Sequence, residues 1–301
     1  MPKTEPPPVK TSQLTKRFRK VTALDSLNLE ISPGDVYALL GANGSGKSTT
    51  FRMLLNIYRP SSGQAAILGT PSVSLNGKDF DKVAYISEGQ KMPKWMRVDQ
   101  FLTYCSGFYT EWDSALCKQL LTAFGLPEKQ KIKHLSRGQC MKVNVASTLP
   151  ARPRLLLLDE PFSGLDVETR AQLGELLKSL AHKEGLATII TTHDVEEVEP
   201  VANRLGVLSH GRLCVNEPLT EYLNRHRLLH LKGCTLADLP VDIARHLKPI
   251  HAPSLRANAF TESYNQNVES DLQAQLPADA EAQFEPMNLR QILTAHALPL
   301  S

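Results

Sequence analysis

Apolar positions along the chain follow two periods. Val36-Tyr37-Ala38-Leu39-Leu40, Leu155-Leu156-Leu157-Leu158 and Thr188-Ile189-Ile190-Thr191-Thr192 are short, nearly continuous apolar runs. Strands buried on both faces of a parallel sheet take this form. Leu27–Ile31, Ala65–Gly69 and Lys82–Ser87 predict further strands, and Ser32-Pro33-Gly34-Asp35 predicts the turn after the first of them. Between the runs the spacing becomes helical. Val98, Phe101, Leu102, Cys105, Phe108 and Tyr109, then Leu116, Leu120, Leu121 and Phe124, predict a mostly helical insertion over residues 97–150. Leu173, Leu176, Leu177 and Leu180 share one face of a long amphipathic helix. Strands alternating with helices predict an α/β fold with a parallel sheet. Beyond about residue 215 the pattern weakens: Leu228–Lys232 predicts a strand, Leu239–Leu247 and Met287–Leu298 predict helices, and residues 262–286 are polar and read as a loose loop. Residues 216–301 therefore read as a small α+β appendage, and neither an internal repeat nor a heptad pattern occurs.

The run Val36–Leu40 leads directly into Gly41-Ala42-Asn43-Gly44-Ser45-Gly46-Lys47-Ser48-Thr49, and a helix-compatible stretch to about Tyr58 follows. A glycine, four residues, then Gly-Lys-Ser between a strand and a helix is the phosphate-binding P-loop pattern. The glycines let the backbone turn so that its N–H groups converge on phosphate oxygens, and the helix adds its positive end. Lys47 is placed to reach the β- and γ-phosphates, and the Ser48 hydroxyl suits Mg²⁺. The chain is expected to bind a nucleoside triphosphate.

A second cluster belongs at the same edge of the sheet. Leu155–Leu158 ends in Asp159-Glu160-Pro161, and ligands of parallel α/β sheets bind at the carboxyl ends of strands. Asp159 suits Mg²⁺, and Glu160 suits a general base that polarises the attacking water. Thr192-His193-Asp194 ends the next strand, where His193 suits a hydrogen bond to the γ-phosphate. The bulk numbers are ordinary for a soluble globular protein: 301 residues, 42% hydrophobic, 22% charged, and a net charge of +3 too small to argue for nucleic acid. Five scattered cysteines without a Cys-x-x-Cys pair fit a reducing cytoplasm. No stretch approaches the roughly 20 apolar residues of a transmembrane helix, so a membrane role is borrowed from another chain. Residues 1–8, with three successive prolines, read as a disordered tail.

Leu135-Ser136-Arg137-Gly138-Gln139, about twenty residues before the Asp159 strand, resembles the signature motif of ABC transporter ATPases, and Ser163-Gly164-Leu165-Asp166 resembles their D-loop. The P-loop, signature, Asp159-Glu160, D-loop and His193 occur in that family's order and at its spacing, over residues 9 to about 215. The resemblance implies a P-loop NTPase core with a parallel sheet, an antiparallel β subdomain and a helical subdomain at about 90–150. It implies Phe18 as the aromatic that stacks on adenine, ATP and Mg²⁺ as cofactors, and a head-to-tail dimer in which one subunit's P-loop faces Ser136, Gly138 and Gln139 of the other, with Asp166 at the same interface. It further implies a separate transmembrane permease as partner, no nucleic acid, and a cytoplasmic position on the inner face of the cell membrane. A single cassette with a C-terminal extension looks more like an exporter subunit than an importer one. The alternative is a soluble ATPase of the same superfamily acting on nucleic acid or ribosomes.

Two positions depart from the family pattern. Arg137 stands where the signature usually has glycine, and either projects into solvent or makes an extra charge contact. The Q-loop glutamine is expected at Glu88, with Gln90 two residues on; either can offer oxygen to Mg²⁺. Lys91-Met92-Pro93-Lys94-Trp95-Met96 suits either a groove for the membrane partner or subdomain core. His226 and His230, four apart, have metal-ligand spacing on a helix but no evident third ligand. The basic run Lys16–Lys20 reads as a solvated loop near the nucleotide.

Overall fold

The computed structural model describes residues 5–239, 241–250, 255, 257–276 and 279–296. The chain divides into two compact units, one ending at Asn216 and the other starting at Glu217. In order, the first unit contains β1 (Val9–Phe18), β2 (Val21–Ile31), β3 (Val36–Leu40), α1 (Lys47–Leu54), β4 (Ser62–Ile67), β5 (Thr70–Pro71), α2 (Gly77–Phe80), β6 (Val83–Ser87), α3 (Val98–Ser106), α4 (Ser114–Ala123), α5 (Arg137–Ala146), β7 (Leu155–Asp159), α6 (Val167–Glu184), β8 (Ala187–Thr192), α7 (Val195–Val198), β9 (Arg204–Ser209) and β10 (Arg212–Pro218).

Six strands form the central sheet in the order β10-β9-β3-β8-β7-β6. β3, β6, β7, β8 and β9 run parallel, in register Leu39↔Thr191, Asp159↔Thr191 and Ser87↔Asp159. Because they are parallel, their carboxyl ends lie along one edge. All five residues of β3 and all six of β8 are buried, as their unbroken apolar runs require. A second sheet, β2-β1-β4-β5, is antiparallel throughout. Leu14, Leu27, Leu29 and Ile67 from that sheet join Leu39, Phe51, Leu157 and Ile189 in one core. The expected parallel sheet, antiparallel β sheet and helical segment are therefore all present. α3 is shorter than its apolar spacing suggests: it stops at Ser106, and Phe108 lies 66% exposed, its ring set edge-on to Tyr104.

Of the tail expected over residues 1–8, residues 1–4 lie outside the described residues. Residues 5–8 are not a loose tail, because they pack: Leu68 N–H donates to the Pro8 carbonyl (3.0 Å), and Glu5 pairs with Arg154.

The second unit carries α8 (Leu219–Asn224), β11 (Arg227–Lys232), α9 (Val241–Ala244), β12 (Lys248–Pro249), β13 (Ala259–Thr261), α10 (Gln266–Gln275), β14 (Glu281–Pro286) and α11 (Leu289–Ala295). Its sheet has the order β12-β13-β11-β14. Leu229, Leu247, Ala259 and Leu272 form its own core. Two expectations change here. Of residues 262–286, the described 262–276 and 279–286 are not a loose loop: Asn265 caps α10 by accepting from Val268 N–H (3.0 Å), and β14 pairs with β11 from Arg227↔Pro286 to Lys232↔Glu281. His226 and His230 do not share a helix, since β11 begins at Arg227, and His230 faces Glu285 at 3.1 Å.

His226 is 1% exposed. Its Nδ1–H donates to the Tyr222 carbonyl (2.6 Å), and its Nε2 lies 3.3 Å from Nε2 of His296. Burial lowers the His226 pKa to about 4, opposed by its hydrogen bond to the Tyr222 carbonyl, helped by His296 and Arg225, and opposed more weakly by Glu262. Burial lowers His296 as well. An unfolded histidine takes up a proton near pH 6.5, so between about pH 6.5 and 4 the unfolded chain binds more protons than the folded one. Stability from this pair is complete above pH 6.5 and is lost as pH falls toward 4. Amide exchange of β11 and α11, corrected for intrinsic rates, is expected to quicken on acidification from pH 7 to 4.5, and His226→Phe should flatten that dependence.

Candidate functional site

The carboxyl ends of β3, β7 and β8 bring the P-loop, Asp159-Glu160 and His193 together. After β3 the chain turns through Gly41–Gly46 into α1. Gly46 has φ of 114°, and a Cβ there would come within 2.6 Å of the Ala23 carbonyl, so only glycine fits this close approach to β2. Thr50 Oγ1 donates back to the Gly46 carbonyl (3.0 Å) and tightens the first turn of α1. Ala42, Asn43 and Gly44 form the rim of the loop, with Asn43 and Gly44 exposed; Thr49 is half-buried on α1. Ser45 Oγ is buried without a hydrogen-bond partner, an orphan hydroxyl inside the loop.

Lys47 is 6% exposed. Its Nζ donates to the Gly41 carbonyl (2.5 Å) and the Ala42 carbonyl (3.3 Å) and lies 3.8 Å from Glu160 Oε1. Burial lowers its pKa, while Glu160 and then Asp159 pull it back up. Glu160 has a φ of 52°, left-handed and unfavourable for a residue with a Cβ. Its N–H donates to the Thr191 carbonyl (2.9 Å) on β8, which holds the strained turn. His193 Nδ1 lies 3.1 Å from both carboxylate oxygens of Glu160.

Asp159 accepts from Thr191 Oγ1 (2.5 Å), and the Ser48 and Tyr85 hydroxyls each lie 3.4 Å from its carboxylate. Ser48 and Asp159 thus present a hydroxyl and a carboxylate side by side, hard oxygen donors of the kind Mg²⁺ takes. The donor set fits that ion. Tyr85 and Thr191 escape a sequence reading, because they reach Asp159 only through the strand order β8-β7-β6.

The remaining candidates lie further out. Phe18 is 40% exposed at the β1–β2 turn, edge-on to Tyr58 at 5.3 Å, with Lys16 Nζ 5.0 Å from its ring centre. The basic run Lys16–Lys20 is not a loop: Lys16–Phe18 end β1, paired with β2, and Arg19-Lys20 make the turn. Ser136 caps α5: its Oγ accepts from Gln139 N–H (3.2 Å), and Gln139 Oε1 accepts from Ser136 N–H (2.9 Å). Gly138 is buried against α6, where a Cβ would lie 3.2 Å from Thr169 Oγ1 and 3.4 Å from Asp166 Oδ2. The Asp166 carboxylate caps α6 by accepting from Thr169 N–H (2.8 Å) and Thr169 Oγ1 (3.0 Å), and these bonds lower its pKa. Glu88 and Gln90 are exposed in the loop after β6. Glu88 is met by Arg137 and by the Ser163 hydroxyl, so Arg137 makes a charge contact rather than projecting free. Trp95 is 70% exposed, which removes it from the subdomain core.

Among the described residues no helix is long and apolar enough to cross a membrane. A family model described as ABC transporter matches residues 24–163. The chain is 32% identical over 246 residues to an uncharacterized ABC transporter ATP-binding protein of Nostoc, covering 77% of this chain and 72% of the relative. It is 31% identical to an aliphatic sulfonates import ATP-binding protein of Zymomonas mobilis, covering 68% of this chain and 83% of that one. Among solved structures, cbiO1 of Clostridium perfringens, part of the ABC transporter complex cbiONQ, superposes with a TM-score of 0.64 at 26% identity, over 72% of this chain and 90% of cbiO1.

Lys47 is expected to serve nucleotide binding and Glu160 to serve turnover. Lys47→Ala should weaken ATP binding by about 10- to 100-fold, the scale of a lost charge-assisted hydrogen bond. Glu160→Gln should leave ATP affinity within about twofold while turnover falls by about 10²- to 10⁴-fold, as for loss of a general base. Equilibrium binding of a fluorescent ATP analogue beside phosphate release checks both.

Proposed function

The chain belongs to the ABC transporter family of ATP-binding proteins, and on that premise we propose that it powers a separate transmembrane permease through ATP binding and hydrolysis in a head-to-tail dimer. As an ATPase of this family it binds and hydrolyses ATP. The observation that carries the mechanistic reading is the strained Glu160, held between Lys47 at 3.8 Å and His193 at 3.1 Å at one edge of the sheet.

In the proposed reaction Lys47 leaves the Gly41 and Ala42 carbonyls for phosphate oxygens, and the P-loop amides with the start of α1 hold the remaining negative charge. Ser48 and Asp159 would hold Mg²⁺, which would supply positive charge to the phosphate oxygens. Glu160 takes the proton of the attacking water as the new phosphorus–oxygen bond forms and the bond to ADP breaks. His193 fixes that carboxylate through its Nδ1–H, and turns its one ring N–H to a γ-phosphate oxygen when the nucleotide arrives. Ser136, Gly138 and Gln139, at the N-terminal turn of α5, serve the nucleotide of the opposing subunit, with Asp166 close by; Phe18 stacks on adenine. ATP then closes the dimer and hydrolysis releases it, a population shift that the permease converts to work.

Trp95 and its neighbours form the surface offered to the permease, since a large aromatic at 70% exposure has no partner in its own core. The subunit accordingly sits on the inner face of the cell membrane through that partner. Export is the direction we propose, on the ground of the small unit that follows the cassette; a relative named for import is of similar identity, so identity does not favour either direction.

Purified in mild detergent from its own cells, the full chain is expected to bring down an integral membrane protein that stimulates its ATPase. Trp95→Ala should reduce that recovery by about tenfold or more, as for an interface anchor, with ATP affinity unchanged. Recovery of ribosomes or nucleic acid in place of a membrane protein would overturn the proposal. Inverted vesicles given ATP outside report direction: export fills their lumen, import does not.

A further inference from the structure

Arg137 and Glu88, the two departures from the family pattern, meet each other. The Arg137 guanidinium pairs with Glu88 Oε1. The Ser163 hydroxyl closes a ring with them: it accepts from Arg137 Nη2 (3.4 Å) and lies 3.4 Å from Glu88 Oε1. The guanidinium lies against Gly164, whose φ is 65°, and a Cβ at that position would overlap Arg137 Nη1. Room for this arginine is thus made by the D-loop glycine.

Two members, Glu88 and Ser163, are tied to the catalytic edge by main-chain bonds, and the third, Arg137, begins α5. Glu88 N–H donates to the Asp159 carbonyl (3.0 Å), one step beyond the Ser87↔Asp159 pair of β6 and β7. Ser163 N–H lies 3.4 Å from the Glu160 carbonyl. Arg137 is the first residue of α5, directly after its Ser136 cap. The ring therefore joins the start of the signature helix to the backbone of Asp159 and Glu160. The charges also compensate. A carboxylate at residue 88 adds a third acid beside Asp159 and Glu160, and Arg137 supplies its countercharge.

We propose that Arg137 and Glu88 are one positioning pair: through it the signature helix is held at a fixed distance from the Glu160 turn, and Glu88 serves as the partner of Arg137 rather than as a Mg²⁺ ligand. Neither side chain is the reacting group. The inference rests on the proposed role of the signature helix in turnover.

The test is a double-mutant cycle on the full chain with Arg137→Gly, Glu88→Gln and the double variant. Both side chains are about half exposed, at 52% and 41%, so the substitutions open no core cavity. Each single variant is expected to lower kcat by about threefold to fivefold, the scale of an exposed ion pair, with KM for ATP and the Mg²⁺ requirement unchanged. The double variant should be no slower than the slower single one. The coupling should fade between about 0.05 M and about 0.5 M salt as screening shortens. Amide exchange in the first turn of α5 should quicken equally in both singles and no further in the double, a readout independent of turnover. Independent losses that multiply, a Mg²⁺ requirement raised by Glu88→Gln alone, or coupling in exchange without coupling in kcat would each overturn the pair as a positioning device. Turnover of Glu160→Gln at the wild-type rate would instead defeat the catalytic reading beneath it, so the two failures are distinguishable.

Discussion

The buried ammonium of Lys47 is the constraint around which the rest is arranged. At 6% exposure it has given up most of its water, and its own burial pushes toward the neutral form. Two loop carbonyls and the Glu160 carboxylate hold the charge in place. An anion offering several oxygens satisfies such a cation better than two carbonyls do, which makes the site receptive to phosphate. The carboxylates that stabilise Lys47 arrive on β7, and the loop that carries it follows β3. A parallel sheet is what places both at one edge.

The second feature is strain held by the frame. Glu160 adopts a left-handed backbone, and the bond from its N–H to Thr191 on the neighbouring strand keeps it there. The turn aims the carboxylate back at Lys47 and His193 instead of along the strand. Fully buried Leu157 and Ile189 in the adjacent strands give the turn a rigid base. Beyond it, α5 and α6 meet at Gly138, and Arg137 reaches across to Glu88 at the same edge, so the start of α5 and the Glu160 turn share one set of supports.

Local patterns were the parts readable from sequence. The P-loop declares itself because its chemistry and conformation lie within nine consecutive residues, and β7 and β8 because strands buried on both faces have unbroken apolar runs. Pairings set by the fold were not readable. Tyr85 and Thr191 meet Asp159 from strands far apart in sequence, and a motif position names Glu88 without saying which way its side chain turns. Arg137 finds Glu88 forty-nine residues upstream. In the second unit, β12 and β13 span two and three residues, too short for a period to register, and α10 is polar over much of its length, so the segment looks like loop until its pairing with β11 is known. Phe108 misleads in the opposite sense: its spacing fits α3, yet the helix stops at Ser106.

The most direct test of the central claim, that this edge becomes one half of a nucleotide site completed by a second copy of the chain, is the mass of Glu160→Gln in solution by light scattering, with and without ATP and Mg²⁺. A species of twice the chain mass is expected with ATP and a single chain without it, because bound nucleotide bridges two subunits and the missing base stops its release by hydrolysis. A single chain under both conditions, with ATP shown to be bound, would contradict it.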